Sequence, residues 1–136
     1  MAKIIKINHI AVAMPELENA IPFWQEQLGL TLNHVEEVPS QQSKVAFLPV
    51  GESEVEIVCP TTEESGMAKY IEKRGPGLHH ICFEVDNIDE MLAELKAKGV
   101  RLIDETAKEL PGRKMAFIHP KSSNGVLVEL YEVIKN

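Results

Sequence analysis

The sequence predicts an α+β fold made of two βαβββ modules, and three observations support this prediction. Twice along the chain, a run of strand-forming residues is followed by apolar residues at helical spacing. Each helical stretch ends at a glycine, Gly29 or Gly99. The dipeptide Ala-Phe at 46–47 recurs at 116–117, a separation of about 70 residues. A chain of 136 residues is long enough for one domain with a sizeable core. We therefore expect both modules to form a single domain.

The first predicted module covers residues 1–60. It begins with strand-forming residues around INHIAVA and continues into an amphipathic helix. The apolar face of this helix consists of Leu17, Ile21, Trp24 and Leu28. Pro22 lies inside the pattern, where a proline costs about 3 kcal/mol or forces a kink, so the helix should bend or begin later. Strands are then predicted over VAFLPV and VEIVC.

The second predicted module covers residues 78–136 and follows a linker at 61–77, in which Ser65 should cap a short helix. Its first strand ends at Asp86. Asn87 is a good N-cap, and Glu90 three residues later completes a capping box. Strands follow over KMAFIHP and VLVELYEV, and the Asn-Gly turn signal in KSSNG predicts a longer hairpin between them than in the first module.

Composition and charge exclude several classes of function. The net charge of −7 leaves no basic stripe for phosphate contacts, so we expect no nucleic-acid partner. Cys59 and Cys82 are the only cysteines and are too far apart in the sequence for a zinc ribbon or a redox dithiol. The start of the chain lacks the apolar core of a signal peptide, and no segment is apolar enough to span a membrane. A cytoplasmic protein without a membrane partner is the expectation.

Four polar residues recur at matching places in the two modules and are the candidate metal ligands. His9 and His80 occupy equivalent apolar strands, as do Glu56 and Glu129. A single strand histidine more often bonds a backbone carbonyl, and a single strand glutamate more often faces solvent; Glu54, Glu84 and Glu132 are assigned to that solvated class. The recurrence of both residue types favours a mixed nitrogen and oxygen site. Such a site suits divalent nickel, zinc, cobalt, iron or manganese. His79 should point to the opposite face, towards a helix or a hydrogen-bond partner.

Several stretches resemble the methylmalonyl-CoA epimerase family of the vicinal-oxygen-chelate superfamily. They are NHIAVAMPELENA, VEIVCP, GLHHICFEVDNID and FIHPKSSNGVLVELYE, and together they span nearly the whole chain. The paired histidines after Gly-Leu and the HPK…GVLVEL ending are the most specific of these signs, whereas the first histidine motif is shared across the superfamily. The resemblance implies paired βαβββ modules that form a curved mixed sheet around a metal site.

The resemblance also implies a site and a reaction. Its metal ligands fall on His9, His80, Glu129 and Glu56, where some relatives carry glutamine. Cobalt is the favoured ion, with nickel, zinc or manganese as further possibilities, and a homodimer is common. The implied reaction removes a proton beside a thioester and returns it to the other face of an enolate that the metal stabilises. Glu129 is the expected base. Glu56 is either the acid/base that serves the opposite face of the substrate or a metal ligand only. The partner of Glu129 is open because Val45 occupies the position at which some relatives carry a second glutamate base.

Other functions of the same superfamily remain open. Glyoxalase I, which isomerises a glutathione hemithioacetal, is the main alternative, and the glutamate at position 56 favours it. An iron(II) dioxygenase and a drug-sequestering binding protein are weaker alternatives, the second because it would be expected to lack the full quartet. For an acyl-CoA substrate, Lys114 and Lys121 are candidate phosphate partners and His119 a candidate pocket residue. The alternative interpretation is that both lysines are solvated and that His119 caps a turn.

Overall fold

The computed structural model describes residues 1–135, and its elements follow the predicted order. The first module contains β1 (Ile4–Ala13), α1 (Leu17–Ile21), β2 (His34–Val38), β3 (Ser43–Val50) and β4 (Ser53–Pro60). Helix α2 (Gly66–Arg74) follows. The second module contains β5 (Gly77–Val85), α3 (Ile88–Ala97), β6 (Lys108–Leu110), β7 (Arg113–Ile118) and β8 (Val128–Val133). The predicted βαβββ order is therefore confirmed in both modules.

The chain divides into two compact units whose limits differ from the predicted module limits. One unit comprises Ile10–His79, and the other comprises Met1–His9 together with the chain from His80 onward. The boundary falls inside β1, directly after His9, so the opening residues of the first predicted module pack with the second. That the whole chain forms a single domain stays a prediction.

In the unit Ile10–His79, strands β2, β3 and β4 pair antiparallel in sequence order. One face of β3 and β4 carries Ala46, Leu48 and Ile57, which are fully buried against α1 and the segment that follows it. The other face carries Val45 and Val58, which form a second apolar cluster with Ala11. Side-chain alternation along the strands therefore places two different clusters on the two faces.

Pro22 changes the helix type and does not delay the start of the helix, which begins at Leu17. Helix α1 ends at Ile21, and residues Pro22–Gln27 continue as a π-helix, in which Leu28 donates its amide to the Phe23 carbonyl at 2.8 Å. Proline has no amide hydrogen and clashes with the preceding turn, so the hydrogen-bond ladder widens there. The chain continues helically to Gln27, one residue before Leu28, the last residue of the predicted apolar face.

In the other unit, β5 pairs parallel with β8, and β8, β7 and β6 pair antiparallel. Helix α3 packs on one face of these strands through Ile88 and Leu92, which contact Ala116 and Leu130. The predicted cap is present, since the Asn87 side chain accepts the Glu90 amide at 3.0 Å. The opposite face of the same strands carries Glu129, which alternates with Leu130 along β8.

The linker and the long hairpin also match their predictions. The Ser65 hydroxyl accepts the Ala68 amide at 3.0 Å and caps α2. Asn124 and Gly125 both adopt positive φ, 59° and 88°, in the connection between β7 and β8. None of the helices within residues 1–135 is both long and apolar enough to cross a membrane.

Candidate metal centre

Three of the predicted ligands converge in one buried cluster. His9 lies on β1, His80 on β5 and Glu129 on β8, all within one compact unit. His9 and Glu129 are only 3% and 6% exposed. Because β5 pairs directly with β8, two strands distant in sequence bring His80 and Glu129 to the same place. The predicted grouping of these three residues is thus present in the structure.

The donor atoms of the cluster are spaced as ligands of one cation. The Nε2 atoms of His9 and His80 lie 3.1 and 3.0 Å from the same oxygen, Oε1 of Glu129, and 3.3 Å from each other. A six-coordinate ion with bonds of about 2.1 Å separates neighbouring donors by about 3.0 Å. Two imidazole nitrogens and one carboxylate oxygen are also the donor types that divalent transition metals prefer. The residues present therefore fit a divalent metal.

The charge of the cluster supports the same interpretation. Burial raises the pKa of Glu129, but hydrogen bonds and charge interactions with His80 and His9 outweigh it and lower the pKa to about 2. Glu129 is therefore ionised at neutral pH. A buried carboxylate needs a positive partner, and a divalent cation or a protonated imidazole supplies one.

Aromatic side chains fix the orientation of both imidazoles. The ring of Tyr131 stands edge-on to His9, with centroids 5.9 Å apart, and Phe117 stands edge-on to His80 at 5.4 Å. Phe117 also lies opposite Glu129 in the register of β7 and β8. The two imidazoles also stand edge-on to each other, with centroids 5.3 Å apart. Each imidazole therefore contacts two rings, and packing as well as hydrogen bonds restricts its rotation.

Cys82 belongs to the cluster, and the sequence prediction missed it. Its Sγ lies within 4.8 Å of a donor atom of both His9 and Glu129, and the residue is fully buried. It stands next to Glu129 in the parallel register of β5 and β8. The available signal was its spacing: Cys82 follows His80 by two positions in the same strand, so both side chains share a face.

Glu84 and Glu132 were expected on solvated faces, and this expectation is wrong. The Glu84 side chain is only 16% exposed and accepts from the Asn8 amide at 3.1 Å. Glu132 accepts the backbone amide of Ile88 at 2.8 Å, at the start of α3. Both carboxylates satisfy donors of elements packed beside their strands. Strand alternation alone cannot show that such donors are present.

Glu56 lies on β4 in the other compact unit, where it is half-buried. It stands opposite Phe47 in the register of β3 and β4, as Glu129 stands opposite Phe117 in β7 and β8. The sequence repeat thus corresponds to a repeat in strand register. The role of Glu56 as fourth ligand stays a prediction. Val45 is 7% exposed within an apolar cluster, and Glu36 stands opposite it in the register of β2 and β3.

The candidate coenzyme A residues have local partners. Lys114 forms a 3.0 Å ion pair with Asp89 of α3. The Nδ1 atom of His119 accepts the Lys121 amide at 3.1 Å and so caps a short 3-10 turn. Burial and the nearby charges of Arg101 and Lys121 lower the pKa of His119. Contacts with coenzyme A stay a prediction for all three. His79, expected to contact a helix, does so, since its ring lies 4.5 Å from Tyr70 of α2.

Comparison with known proteins agrees with the fold. The sequence profile of the Glyoxalase/Bleomycin resistance protein/Dioxygenase superfamily matches residues 8–117. The mitochondrial methylmalonyl-CoA epimerase of Mus musculus is 37% identical over 130 residues, which are 94% of this chain and 73% of that protein. The crystal structure of the Mycobacterium tuberculosis epimerase superposes with a TM-score of 0.87 at 34% identity, covering 97% of this chain and 90% of the other.

The chain therefore belongs to the glyoxalase and dioxygenase superfamily, whose profile spans the larger part of it. Within that superfamily it belongs to the methylmalonyl-CoA epimerase family. A further solved epimerase, in complex with methylmalonyl-CoA and NH4+, shares 30% identity and a TM-score of 0.87 over 96% of both chains. By contrast, the lactoylglutathione lyase of Escherichia coli O157:H7 is 26% identical over 128 residues, 94% of this chain and 93% of that protein.

Proposed function

We propose that this protein epimerises methylmalonyl-CoA by removing and returning the proton next to the thioester. The observation that carries the proposal is the buried cluster of His9, His80 and Glu129, found in a chain that is 37% identical to a methylmalonyl-CoA epimerase. The fold positions these residues, but the reaction is inferred from the residues themselves, because a fold alone does not define a reaction.

His9, His80 and Glu129 are proposed to hold a divalent metal, with Glu56 as the fourth ligand. The donor spacing of 3.0–3.3 Å supports the first three, and the matched strand register of Glu56 and Glu129 supports the fourth. A bound divalent ion supplies positive charge where negative charge develops on the substrate oxygens. Cobalt is favoured by the family resemblance, and nickel, zinc and manganese are the other candidates.

Glu129 is proposed to act as a base as well as a ligand. Oε1 of Glu129 faces both imidazoles. The other oxygen of the carboxylate, Oε2, is therefore proposed to accept the carbon-bound proton. The low pKa of about 2 keeps it ionised when substrate binds. A weak base of this kind removes a carbon-bound proton only where the resulting negative charge is strongly stabilised, which requires the metal and the carboxylate to lie in one site.

Glu56 is proposed to serve the opposite face of the substrate. Two carboxylates at equivalent positions of the repeat give one proton acceptor for each stereoisomer, so each residue acts as base in one direction and as acid in the other. The alternative is that Glu56 is only a ligand, which agrees with the glutamine that some relatives carry at this position. Val45 offers no proton-transfer group, so the sequence supplies no better candidate on β3.

The remaining features of the enzyme are proposed from the sequence and the resemblance. The coenzyme A part of the substrate is proposed to contact Lys114, Lys121 and His119. For this role, Lys114 would exchange its ion pair with Asp89 for an ion pair with a phosphate group. A homodimer in the cytoplasm is proposed for the assembly and location. The acyl-CoA substrate itself agrees with the relatives, among them an epimerase solved with methylmalonyl-CoA.

A direct substrate comparison tests the proposal. The purified protein, loaded with Co²⁺, is assayed with one stereoisomer of methylmalonyl-CoA and, separately, with the glutathione hemithioacetal of methylglyoxal. We expect epimerisation to exceed isomerisation of the hemithioacetal by a wide margin, and chelation of the metal to abolish it. A robust isomerase rate without epimerisation would favour glyoxalase I, the alternative supported by the glutamate at position 56.

A further inference from the structure

We propose that Asn8 and Glu84 are positioning residues that fix the tautomer and orientation of His9, so that its Nε2 atom presents a lone pair to the metal. The inference rests on the metal-binding part of the proposed function and extends it beyond the ligands. Its basis is a continuous chain of hydrogen bonds. Glu84 accepts from Asn8 Nδ2 at 3.1 Å, and Asn8 Oδ1 lies 2.7 Å from His9 Nδ1.

Glu84 determines which way the Asn8 amide faces. An ionised carboxylate only accepts hydrogen bonds, so the group of Asn8 directed at it must be the NH₂ group. The reverse orientation would put two acceptor oxygens against each other in a side-chain environment that is only 16% exposed. Lys6 places its Nζ 3.9 Å from the same Glu84 oxygen, so this oxygen faces two donor groups, Lys6 Nζ and Asn8 Nδ2.

The amide orientation then determines the proton position on His9. Asn8 Oδ1 has no hydrogen to donate, so the short 2.7 Å contact requires that Nδ1 of His9 carries the proton. In a neutral imidazole the other nitrogen is then the acceptor. That nitrogen, Nε2, lies 3.1 Å from Glu129, to which it donates a hydrogen bond when no metal is bound, and it presents its lone pair to a metal once that proton is lost. A carboxylate on one strand thus determines which ring atom of His9 faces the cluster.

The arrangement predicts a measurable effect on metal affinity. Partners that orient a metal-binding histidine change metal affinity by about 10- to 100-fold when they are removed. Asn8→Leu should therefore weaken Co²⁺ binding by about 10- to 100-fold. Asn8→Asp should restore most of the affinity, because an aspartate oxygen also accepts from Nδ1. Glu84→Gln should have a smaller effect, because the glutamine carbonyl can still accept from Asn8.

The surface of the same chain offers a matched control. Asn33 and His34 form the same dipeptide, with Asn33 Oδ1 2.6 Å from His34 Nδ1, but His34 is exposed and lies on the edge strand β2. Asn33→Leu removes the same kind of hydrogen bond away from any proposed ligand. It should leave the Co²⁺ affinity within about twofold of the parent, since nothing in the metal cluster depends on it.

The experiment measures Co²⁺ affinity by calorimetric titration and the His9 tautomer by ¹⁵N NMR of histidine-labelled, metal-free protein. The expected result is a proton on His9 Nδ1 in the parent, partial loss of that proton in Asn8→Leu, where Nε2 can still donate to Glu129, and recovery of both the Nδ1 proton and the affinity in Asn8→Asp. Parental affinity and tautomer in Asn8→Leu, together with lost affinity in His9→Ala, would overturn the positioning role alone. Parental affinity in His9→Ala would overturn the metal site itself. If Asn8→Leu does not fold, Asn8→Ala takes its place, because it also removes the acceptor of the Nδ1 hydrogen bond, with the same expected result and the same overturning result.

Discussion

Acidification should remove a defined part of the stability of the metal-free protein, and Glu129 should be its source. The pKa of Glu129 is lowered from an ordinary 4.5 to about 2 in the folded chain. A depressed carboxyl pKa contributes stability above the unfolded value, and this contribution is lost as the pH falls through the window from about 4.5 to about 2. At 1.36 kcal/mol per pKa unit, the full contribution is about 3 kcal/mol, of which about 2 kcal/mol is lost by pH 3.

Chemical unfolding of chelator-treated protein at pH 6, 4.5 and 3 measures this loss. Glu129→Gln removes the titrating group. Between pH 6 and 3, the free energy of unfolding of this variant should therefore decrease by about 2 kcal/mol less than that of the parent. Glu52→Gln, at an exposed turn, is the control and should follow the parent. If parent and Glu129→Gln lose the same stability over this range, the buried ion pairs inferred for Glu129 do not exist in solution.

Two further predictions concern the metal and the core. His9→Ala and His80→Ala should each lose bound metal while remaining folded, whereas His34→Ala, whose side chain is 45% exposed, should keep it; elemental analysis with circular dichroism distinguishes these results. Leu92→Ala should lower the free energy of unfolding by about 2–5 kcal/mol, because Leu92 is 3% exposed in the core beneath α3. Leu78→Ala, at a position 70% exposed, should change it by less than about 0.5 kcal/mol in the same urea titrations. Equal effects of the two leucine changes would contradict the assigned core.

The repeat made the main elements and three clustered site residues predictable. Recurrence of His9 and His80, and of Glu56 and Glu129, carried more information than any single residue, because a chance strand histidine rarely has a counterpart in the other half. Local signals were equally reliable for the cap at Asn87, which depends on neighbouring backbone amides only. Strand β2 was not located from the sequence, because its HVEEV sequence lies mostly exposed at an edge and lacks an alternating apolar face.

The missed residues depend on neighbours that sequence periodicity does not reveal. Cys82 joins the cluster because β5 pairs with β8, a strand that lies distant in the sequence. Glu84 was assigned to solvent because its own strand gave no sign of the Asn8 amide beside it. Periodicity shows which face a side chain occupies, whereas the pairing of distant strands decides what that side chain meets.

Deuterium exchange from heavy water into methylmalonyl-CoA, with metal content determined on the same samples, tests the central claim most directly. The parent should incorporate deuterium next to the thioester while interconverting the two stereoisomers. Glu129→Gln should retain an oxygen ligand and at least part of the metal but lose epimerisation, together with exchange into the stereoisomer whose proton Glu129 removes, because an amide is not a useful base. Glu56→Gln should lose epimerisation if it serves the opposite face, and stay active if it is a ligand only. Exchange at the parental rate into both stereoisomers, or epimerisation at the parental rate, in metal-loaded Glu129→Gln would contradict the account.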